Sequence, residues 1–193
     1  MARIPAKTVG RAMRLALKSE YKDAINVITK LLARFPANPD LLTDRGHVYE
    51  FLAAREYSNG RKNRAERDRL YAKAARDYRR AVRSEPNFVR ALVGIGDVLN
   101  NMGSPRRALG YYDRAIEAGR HAPEVDRDDV ADAYFAKSLA LRALGRKAAA
   151  SACLARRTRI RNRARVARTS ASGRQPNRRL GRPGAQPTRY DRA

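Results

Sequence analysis

The amino-acid sequence predicts an all-α fold, a short α-solenoid of about four antiparallel helical hairpins that ends in a disordered, basic C-terminal tail. Apolar residues recur with a period near 3.6 through almost every segment before residue 156, and no useful stretch alternates as a β-strand would. Proline and glycine interrupt this pattern regularly, and short loops between helices of similar length favour antiparallel neighbours. A chain of 193 residues is long enough for one folded body and one appended segment.

Capping residues predict where several helices begin and end. The dipeptides Asn38-Pro39 and Ser104-Pro105 each supply an N-cap followed by a proline at the first helical position. Glycine adopts the left-handed conformation that ends a helix at little cost, which predicts helix ends at Gly103 and Gly145. The interruptions therefore separate helices rather than domains.

Small and aromatic residues repeat at the spacing of a helical hairpin. Gly46, Gly96 and Ser138 occupy equivalent positions in first helices. The matching second-helix sets are Ala24, Ile28 and Leu31; Ala74, Tyr78 and Ala81; Ala108, Tyr112 and Ala115; and Ala150 and Leu154. This pattern resembles the tetratricopeptide repeat, a helix–turn–helix unit of 34 residues, and the match is strongest over residues 89–118. The resemblance implies a right-handed solenoid with a concave groove that binds a partner peptide or helix.

The repeats divide the chain into a helical-repeat domain, residues 1–155, and an Arg-rich C-terminal extension, residues 156–193. The approximate units are 5–38, 39–88, 89–122 and 130–157. The first has Ala12 in place of the glycine, and the last has Arg157 where a small residue belongs, as end repeats often depart from the pattern. The second unit holds a 16-residue insertion between its helices, for which a turn at 58–60 and a long helix from 63 to 84 are expected.

Charge is concentrated in the C-terminal extension. Lys and Arg number 43 against 19 Asp and Glu, a formal +24 that implies anionic partners. Residues 156–193 hold 13 Arg and one acid, and from about residue 169 proline and glycine leave too little apolar surface for a fold, so this part is expected to be disordered. The extension binds an anionic partner, or its arginines reflect biased codon usage and only keep the chain in solution. The arginines expected to bind an anion or nucleic acid are Arg156, Arg157, Arg159, Arg161, Arg163, Arg165 and Arg168.

Two further charged segments leave alternatives open. Residues 55–90 hold 12 Lys or Arg against five acids, and this run is either a binding surface or a solvated helix face. Residues 113–132 hold seven acids against three Arg, so the extension could fold back onto them or reach a neighbouring molecule, which would allow self-association.

No residue pattern predicts catalysis, a cofactor or a metal site. One cysteine and two histidines are too few ligands for a structural zinc site. His47 and Asp44 could act as a base and its partner but lack a nucleophile, so a groove-facing or capping histidine is favoured. Cys153 is expected to be a small buried hydrophobe, although nearby arginines could make it reactive. Gly94 and Gly96 lie within a helix, which favours close helix packing over a phosphate loop. The chain is therefore not expected to be an enzyme.

The resemblance assigns the groove lining to first-helix positions. The mapped residues are Thr43, Asp44, His47, Glu50, Arg90, Val93, Asp97, Asn100, Asn101, Asp132, Phe135 and Arg142. A subfamily that clamps a terminal carboxylate has Lys and Asn where this chain has Val9 and Met13, so the clamp is not expected. The predicted function is a non-catalytic adaptor that binds a protein or peptide partner. The alternative is an RNA-associated structural component of a ribonucleoprotein that acts through its basic tail.

The predicted compartment is the cytoplasm. No stretch of about 18 apolar residues and no secretory apolar segment occurs. Arg3, Lys7, Arg11, Arg14 and Lys18 could suit an organellar transit peptide. Apolar residues at helical spacing within the same segment instead favour a folded first helix.

Overall fold

The computed structural model describes residues 6–58, 64–121 and 126–172, and all its regular elements are α-helices. The eight helices are α1 Ala6–Leu17, α2 Tyr21–Arg34, α3 Pro39–Ser58, α4 Arg64–Ser84, α5 Val89–Asn101, α6 Pro105–His121, α7 Arg127–Ala143 and α8 Lys147–Ser172. Successive helices pair as four hairpins, α1 with α2 through α7 with α8. The predicted all-α fold of four hairpins is confirmed.

The helix ends follow the capping chemistry expected from the sequence. Asn38 Oδ1 accepts a hydrogen bond from the Leu41 backbone N–H at 2.8 Å, and Pro39 begins α3. Gly103 and Gly145 have positive φ angles of 79° and 74°, in the left-handed region that glycine adopts readily. Asp126 provides a cap that the sequence analysis did not single out, since its side chain accepts from the Asp128 N–H at 2.9 Å.

The first helices α3, α5 and α7 pack directly on one another, and α4 and α6 each pack between two of them. This arrangement places the first helices together on one face of the stack and the second helices on the other. We call the face formed by α3, α5 and α7 the inner face. In a solenoid of helical hairpins, the layer whose helices contact one another directly has the smaller radius of curvature.

The insertion in the second unit lengthens both helices of its hairpin. α3 runs 12 residues past Gly46, whereas α5 runs five past the equivalent Gly96. α4 begins ten residues before Ala74, whereas α6 begins three before the equivalent Ala108. At the end of the hairpin that carries the turn, each helix therefore extends seven residues further than its counterpart. The remaining inserted residues lie in the turn, residues 59–63, which is outside the described part.

Two tyrosines fill the space that first-helix glycines leave open. Tyr78 is fully buried between Gly46 and Gly94, and a Cβ atom added to either glycine would lie less than 3.0 Å from its ring. Tyr112 has the same relation to Gly96. These glycines are thus packing positions, as the sequence predicted, and the helices approach closely because the glycines have no side chain.

A buried ion pair joins the two helices of the second hairpin, and its arginine also bonds to the first hairpin. The guanidinium of Arg45 donates to both Asp77 carboxylate oxygens at 2.7 and 2.8 Å, and also to Thr29 Oγ1 at 3.0 Å. Asp77 retains only 3% of its side-chain exposure. The three residues lie on α3, α4 and α2, so one planar guanidinium connects three helices.

The Arg-rich segment 156–168 is part of α8, which continues without interruption from the last hairpin to Ser172. Residues 169–172 form the end of this helix. The rest of the segment expected to be disordered, 173–193, lies outside the described residues. Within the part of the chain that the structure describes, no helix combines the length and apolar character needed to cross a membrane.

Candidate functional site

The inner face collects the predicted groove residues, but at very different depths. Thr43 and Asp44 are buried, with 0% and 6% exposure, so they pack rather than offer surface. Half-buried positions are His47, Glu50, Arg90, Val93, Asp97 and Asn100. The exposed ones are Asn101, Asp132, Phe135 and Arg142. The surface available to a partner is therefore narrower than the sequence-mapped set.

A pocket of about 210 Å³ lies where α3, α5 and α7 meet. Its lining residues are His47, Arg90, Val93, Asp97, Asp129 and Asp132. Three of the six are carboxylates, in a chain whose net charge is strongly positive. The pocket is thus an acidic site on a basic protein, and we call it the inner-face pocket.

Arg90 links the pocket to α3 through two ion pairs. Its guanidinium donates to Asp44 Oδ1 at 2.7 Å and to Asp40 Oδ1 at 3.2 Å. Burial raises the pKa of Asp44, and the neighbouring Arg90 opposes that rise. Arg90 also opposes the rise that burial causes in the pKa of Asp129, so one guanidinium is shared between carboxylates of α3 and α7. The carboxylates therefore remain in excess around the pocket.

Two carboxyl groups near the pocket are held by the packing tyrosines. The Tyr78 hydroxyl donates to Glu50 Oε2, and the Tyr112 hydroxyl donates to Asp97 Oδ1 at 2.8 Å. Burial, followed by the negative charge of Asp97, raises the pKa of Glu50 to about 8. Burial also raises the pKa of Asp97 to about 6, with a smaller contribution from Asp132. The negative charge of this surface consequently increases with pH across the neutral range.

His47 does not act with Asp44 in the described structure. Its ring packs edge-on against Tyr78 with the centroids 5.6 Å apart, while Asp44 accepts from Arg90. Burial, followed by the positive charge of Arg90, lowers the pKa of His47 to about 4. The imidazole is therefore neutral and only weakly basic at pH 7.

An apolar shelf adjoins the acidic pocket on α7. Phe135 and Leu139 are 38% and 41% exposed, although both are large hydrophobic residues. The guanidinium of Arg157, on α8, lies over the Phe135 ring, 4.4 Å from its centroid. This contact packs α8 against the apolar shelf. The inner face thus presents carboxylates beside exposed apolar side chains.

The α8 arginines separate into a packing residue and two exposed rows. Arg157 is half-buried on Phe135, and Ile160 and Ala164 lie beside Arg127 at the start of α7. Helical geometry places the other arginines on both flanks of this contact face. One row is Arg156, Arg159 and Arg163, and the other is Arg161 and Arg165. The side chain of Arg168 lies outside the described set.

Sequence reasoning missed two residues of this surface. Asp129 lines the pocket and lies three residues before Asp132. This spacing places both residues on one face of a helix, so it could have been recognised in the sequence. Leu139 occupies the position equivalent to His47 and Asp97, so the repeat register could have found it. Asp129 was counted only within the acidic run 113–132, and Leu139 was not singled out.

The remaining candidate groups do not assemble a reactive site in the described structure. Cys153 is 8% exposed and packs with Leu141 and Ala150, and burial raises the pKa of its thiol. It is therefore the small hydrophobe that the sequence predicted. Within residues 6–58, 64–121 and 126–172, no group of three or more His, Cys, Asp or Glu side chains could hold a metal ion.

Comparison with known proteins identifies the fold. Residues 88–163 match the family model of the tetratricopeptide repeat. A thermophilic TPR protein of Thermus thermophilus superimposes with a TM-score of 0.69, at 16% identity, over 86% of this chain and 78% of that one. PilW, described as a widely conserved type IV pilus biogenesis factor, gives 0.64 at 19% identity, over 83% of this chain and 64% of its own.

The comparisons differ in how much of the chain they cover and in what they show. A search among curated proteins finds no significant match. At these identities the two solved structures show the fold alone, while the family match covers the last two hairpins. The glycine and tyrosine packing seen in α3 to α6 is the packing that the repeat resemblance implied. Residues 88–163 therefore match the tetratricopeptide repeat, and the chain has the fold of tetratricopeptide-repeat proteins.

Proposed function

We infer that this protein is a non-catalytic adaptor whose inner face binds a partner peptide or helix carrying basic side chains next to apolar ones. The observation that carries this inference is the inner-face pocket, where Asp97, Asp129 and Asp132 adjoin exposed Phe135 and Leu139. Tetratricopeptide-repeat folds serve in general as protein interaction scaffolds, and their curved inner faces suit extended or helical segments.

Charge and burial both support a cationic ligand group. A Lys or Arg side chain entering the pocket would meet carboxylates whose pKa values burial has raised, and it would favour their ionised forms. The shelf beside them would bury an apolar side chain of the same segment. Exposed aromatic and aliphatic residues next to charged ones are typical of binding centres.

Site-specific photo-crosslinking in native cells tests the location of binding. A crosslinking residue at Val93 or Phe135 on the inner face should capture a discrete partner. The same residue at Lys30 or Arg107, which are exposed on second helices, is the matched control. Equal capture from both faces, or capture only from the second helices, would contradict the proposal.

Purified components test the chemistry. A peptide derived from the captured partner should bind the D97N/D132N variant at least about tenfold more weakly, since each lost charged contact contributes on the order of 1 kcal/mol. D23N/E85Q removes two exposed acids away from the pocket and is the matched control. Unchanged affinity of D97N/D132N would exclude the pocket as the binding centre.

The α8 arginines support a second function, the attachment of the adaptor to an anionic partner. Arg156, Arg159, Arg161, Arg163 and Arg165 are exposed on one continuous helix that carries no acidic residue. A chain shortened to Leu154 would also remove Arg157 from Phe135, so replacement of exposed arginines by glutamine is the cleaner test. Retained peptide binding by such a variant would separate the two functions, whereas loss of all binding would favour the ribonucleoprotein alternative.

A further inference from the structure

A row of five cationic residues runs along the outward face of α4. Arg69, Lys73, Arg76, Arg80 and Arg83 follow one another at alternating spacings of four and three residues. This spacing places all five on one side of a helix, over an axial length of about 21 Å. α4 packs against α3 and α5 with its buried residues, so the row faces away from the hairpin stack. We call it the α4 row.

The α4 row is weakly neutralised. Of the three acids on α4, Asp77 is bound by Arg45 and Asp68 by Arg67, and only Glu66 contacts the row, at 3.7 Å from Arg69. Arg76 and Arg83 are exposed, and the Arg69 side chain keeps 77% of its exposure. Several positive charges therefore lie in a line with one carboxylate beside them.

Local contacts hold parts of this row in place. Lys73 Nζ lies 5.7 Å from the centroid of the Tyr49 ring, and Arg80 donates to the Pro36 carbonyl oxygen at 2.9 Å. The first contact leaves the ammonium group charged. A row on a rigid helix loses less side-chain entropy on binding than the same charges on a flexible loop.

The insertion in the second unit lengthens the row. Arg69 lies within the first seven residues of α4, which precede the position equivalent to the start of α6, and it extends the line of charge beyond the length of an ordinary repeat. Insertions in helical-repeat proteins collect on one face, which is often a binding face. The inserted part of α4 thus adds Arg69 to the row, at a position for which α6 has no helical counterpart.

We propose that the α4 row binds the phosphate backbone of single-stranded nucleic acid. A line of regularly spaced cations matches a polymer whose charges also repeat regularly, and the planar guanidinium of arginine suits phosphate. The large apolar residues of α4, Leu70 and Tyr71 among them, are buried, so the row lacks the exposed apolar side chains by which a helix inserts into a lipid surface. Binding is directed at the backbone and is insensitive to base sequence.

The test uses the full-length chain and fluorescence anisotropy of labelled oligo-dT and oligo-U of about 20 nucleotides. The R69Q/K73Q/R76Q/R83Q variant retains Arg80, which contacts the Pro36 carbonyl, and substitutes residues on an exposed surface. Each lost phosphate contact lowers the salt slope for a single strand by about 0.7, so the four together reduce it by about 3. Affinity at moderate salt should fall by a factor on the order of ten to a hundred.

A matched control distinguishes contact from overall charge. R106Q/R107Q/R114Q/R120Q removes the same charge from exposed positions on α6. Its salt slope should change by less than about 1. Equal losses in both variants would overturn the proposal, because net charge would then explain binding.

Two further arms complete the test. A variant with Arg156, Arg159, Arg161 and Arg163 replaced by glutamine must leave a component of binding that the α4 substitutions remove. If the α8 variant alone abolishes binding, the α4 row makes no contact and the proposal is wrong.

Vesicles of phosphatidylserine and phosphatidylcholine, and an acidic peptide, test other anions. A loss confined to either of them, with oligonucleotide binding intact, would also overturn it.

Discussion

Replacing Gly94 by alanine should destabilise the protein, although alanine is the better helix former. The added Cβ would lie 2.5 Å from Tyr78 Cζ, and the ring cannot withdraw, since Gly46 contacts its other side and Glu50 holds its hydroxyl. Overpacking a filled core costs about 1–3 kcal/mol. The higher helix propensity of alanine offsets up to about 1 kcal/mol of this. The net loss should therefore be about 1–2 kcal/mol.

Gly110 provides the control within the same chain. It is exposed on α6, and a Cβ added there would meet nothing within 4 Å. Gly110→Ala should consequently stabilise the protein by up to about 1 kcal/mol, because only the helix propensity changes. The difference between the two variants isolates the packing contribution, since the propensity gain is common to both.

Urea unfolding followed by circular dichroism measures both variants. With a slope of about 1–3 kcal/mol per molar urea, the midpoints of the two variants should differ by about 1 M. If Gly94→Ala were as stable as Gly110→Ala, Tyr78 would not pack tightly against the first-helix glycines. The basis for assigning a repeat to the second hairpin would then be lost.

Three further outcomes follow from buried groups. Arg45→Met should cost about 3–5 kcal/mol in urea unfolding, because it leaves the Asp77 carboxylate buried without its partner; a loss below about 1 kcal/mol would contradict this. Burial raises the pKa of Glu50 from 4.5 to about 8, so its protonated form stabilises the fold below pH 4.5 and this contribution is lost as pH rises to 8. Unfolding at pH 5 and pH 9 should show the wild type losing stability relative to Glu50→Gln, and a constant difference would exclude this ionisation. The Cys153 thiol should react with a disulfide reagent at least about tenfold more slowly in the native protein than in denaturant; equal rates would show that it is accessible.

Local features of the fold could be read from the sequence because they depend on neighbours along the chain. The Asn38 cap, the left-handed Gly103 and the repeat of glycine and tyrosine each follow from a spacing within one hairpin. The helical character of 156–168 was not expected, since an arginine-rich segment without acids offered no reason to form part of the last hairpin. Its packing depends on Arg157 lying over Phe135, a contact between two helices.

The candidate site was less predictable because it depends on how one hairpin is rotated against the next. Thr43 and Asp44 were mapped to the groove by position, but both are buried, and Asp44 pairs with Arg90 of α5. Arg90 contacts Asp44 across 46 residues of sequence, a pairing that no local period indicates. Asp129 lines a pocket formed by three helices, which the sequence of α7 alone does not reveal.

Hydrogen exchange of the full-length chain, with and without the captured partner segment, tests most directly whether the inner face is the binding surface. The account predicts slower exchange in peptides from α3, α5 and α7 around Glu50, Asp97 and Asp132, with the outer surface of α4 unchanged. Slower exchange confined to α4 or α8 would contradict it and would place the binding surface on the second helices.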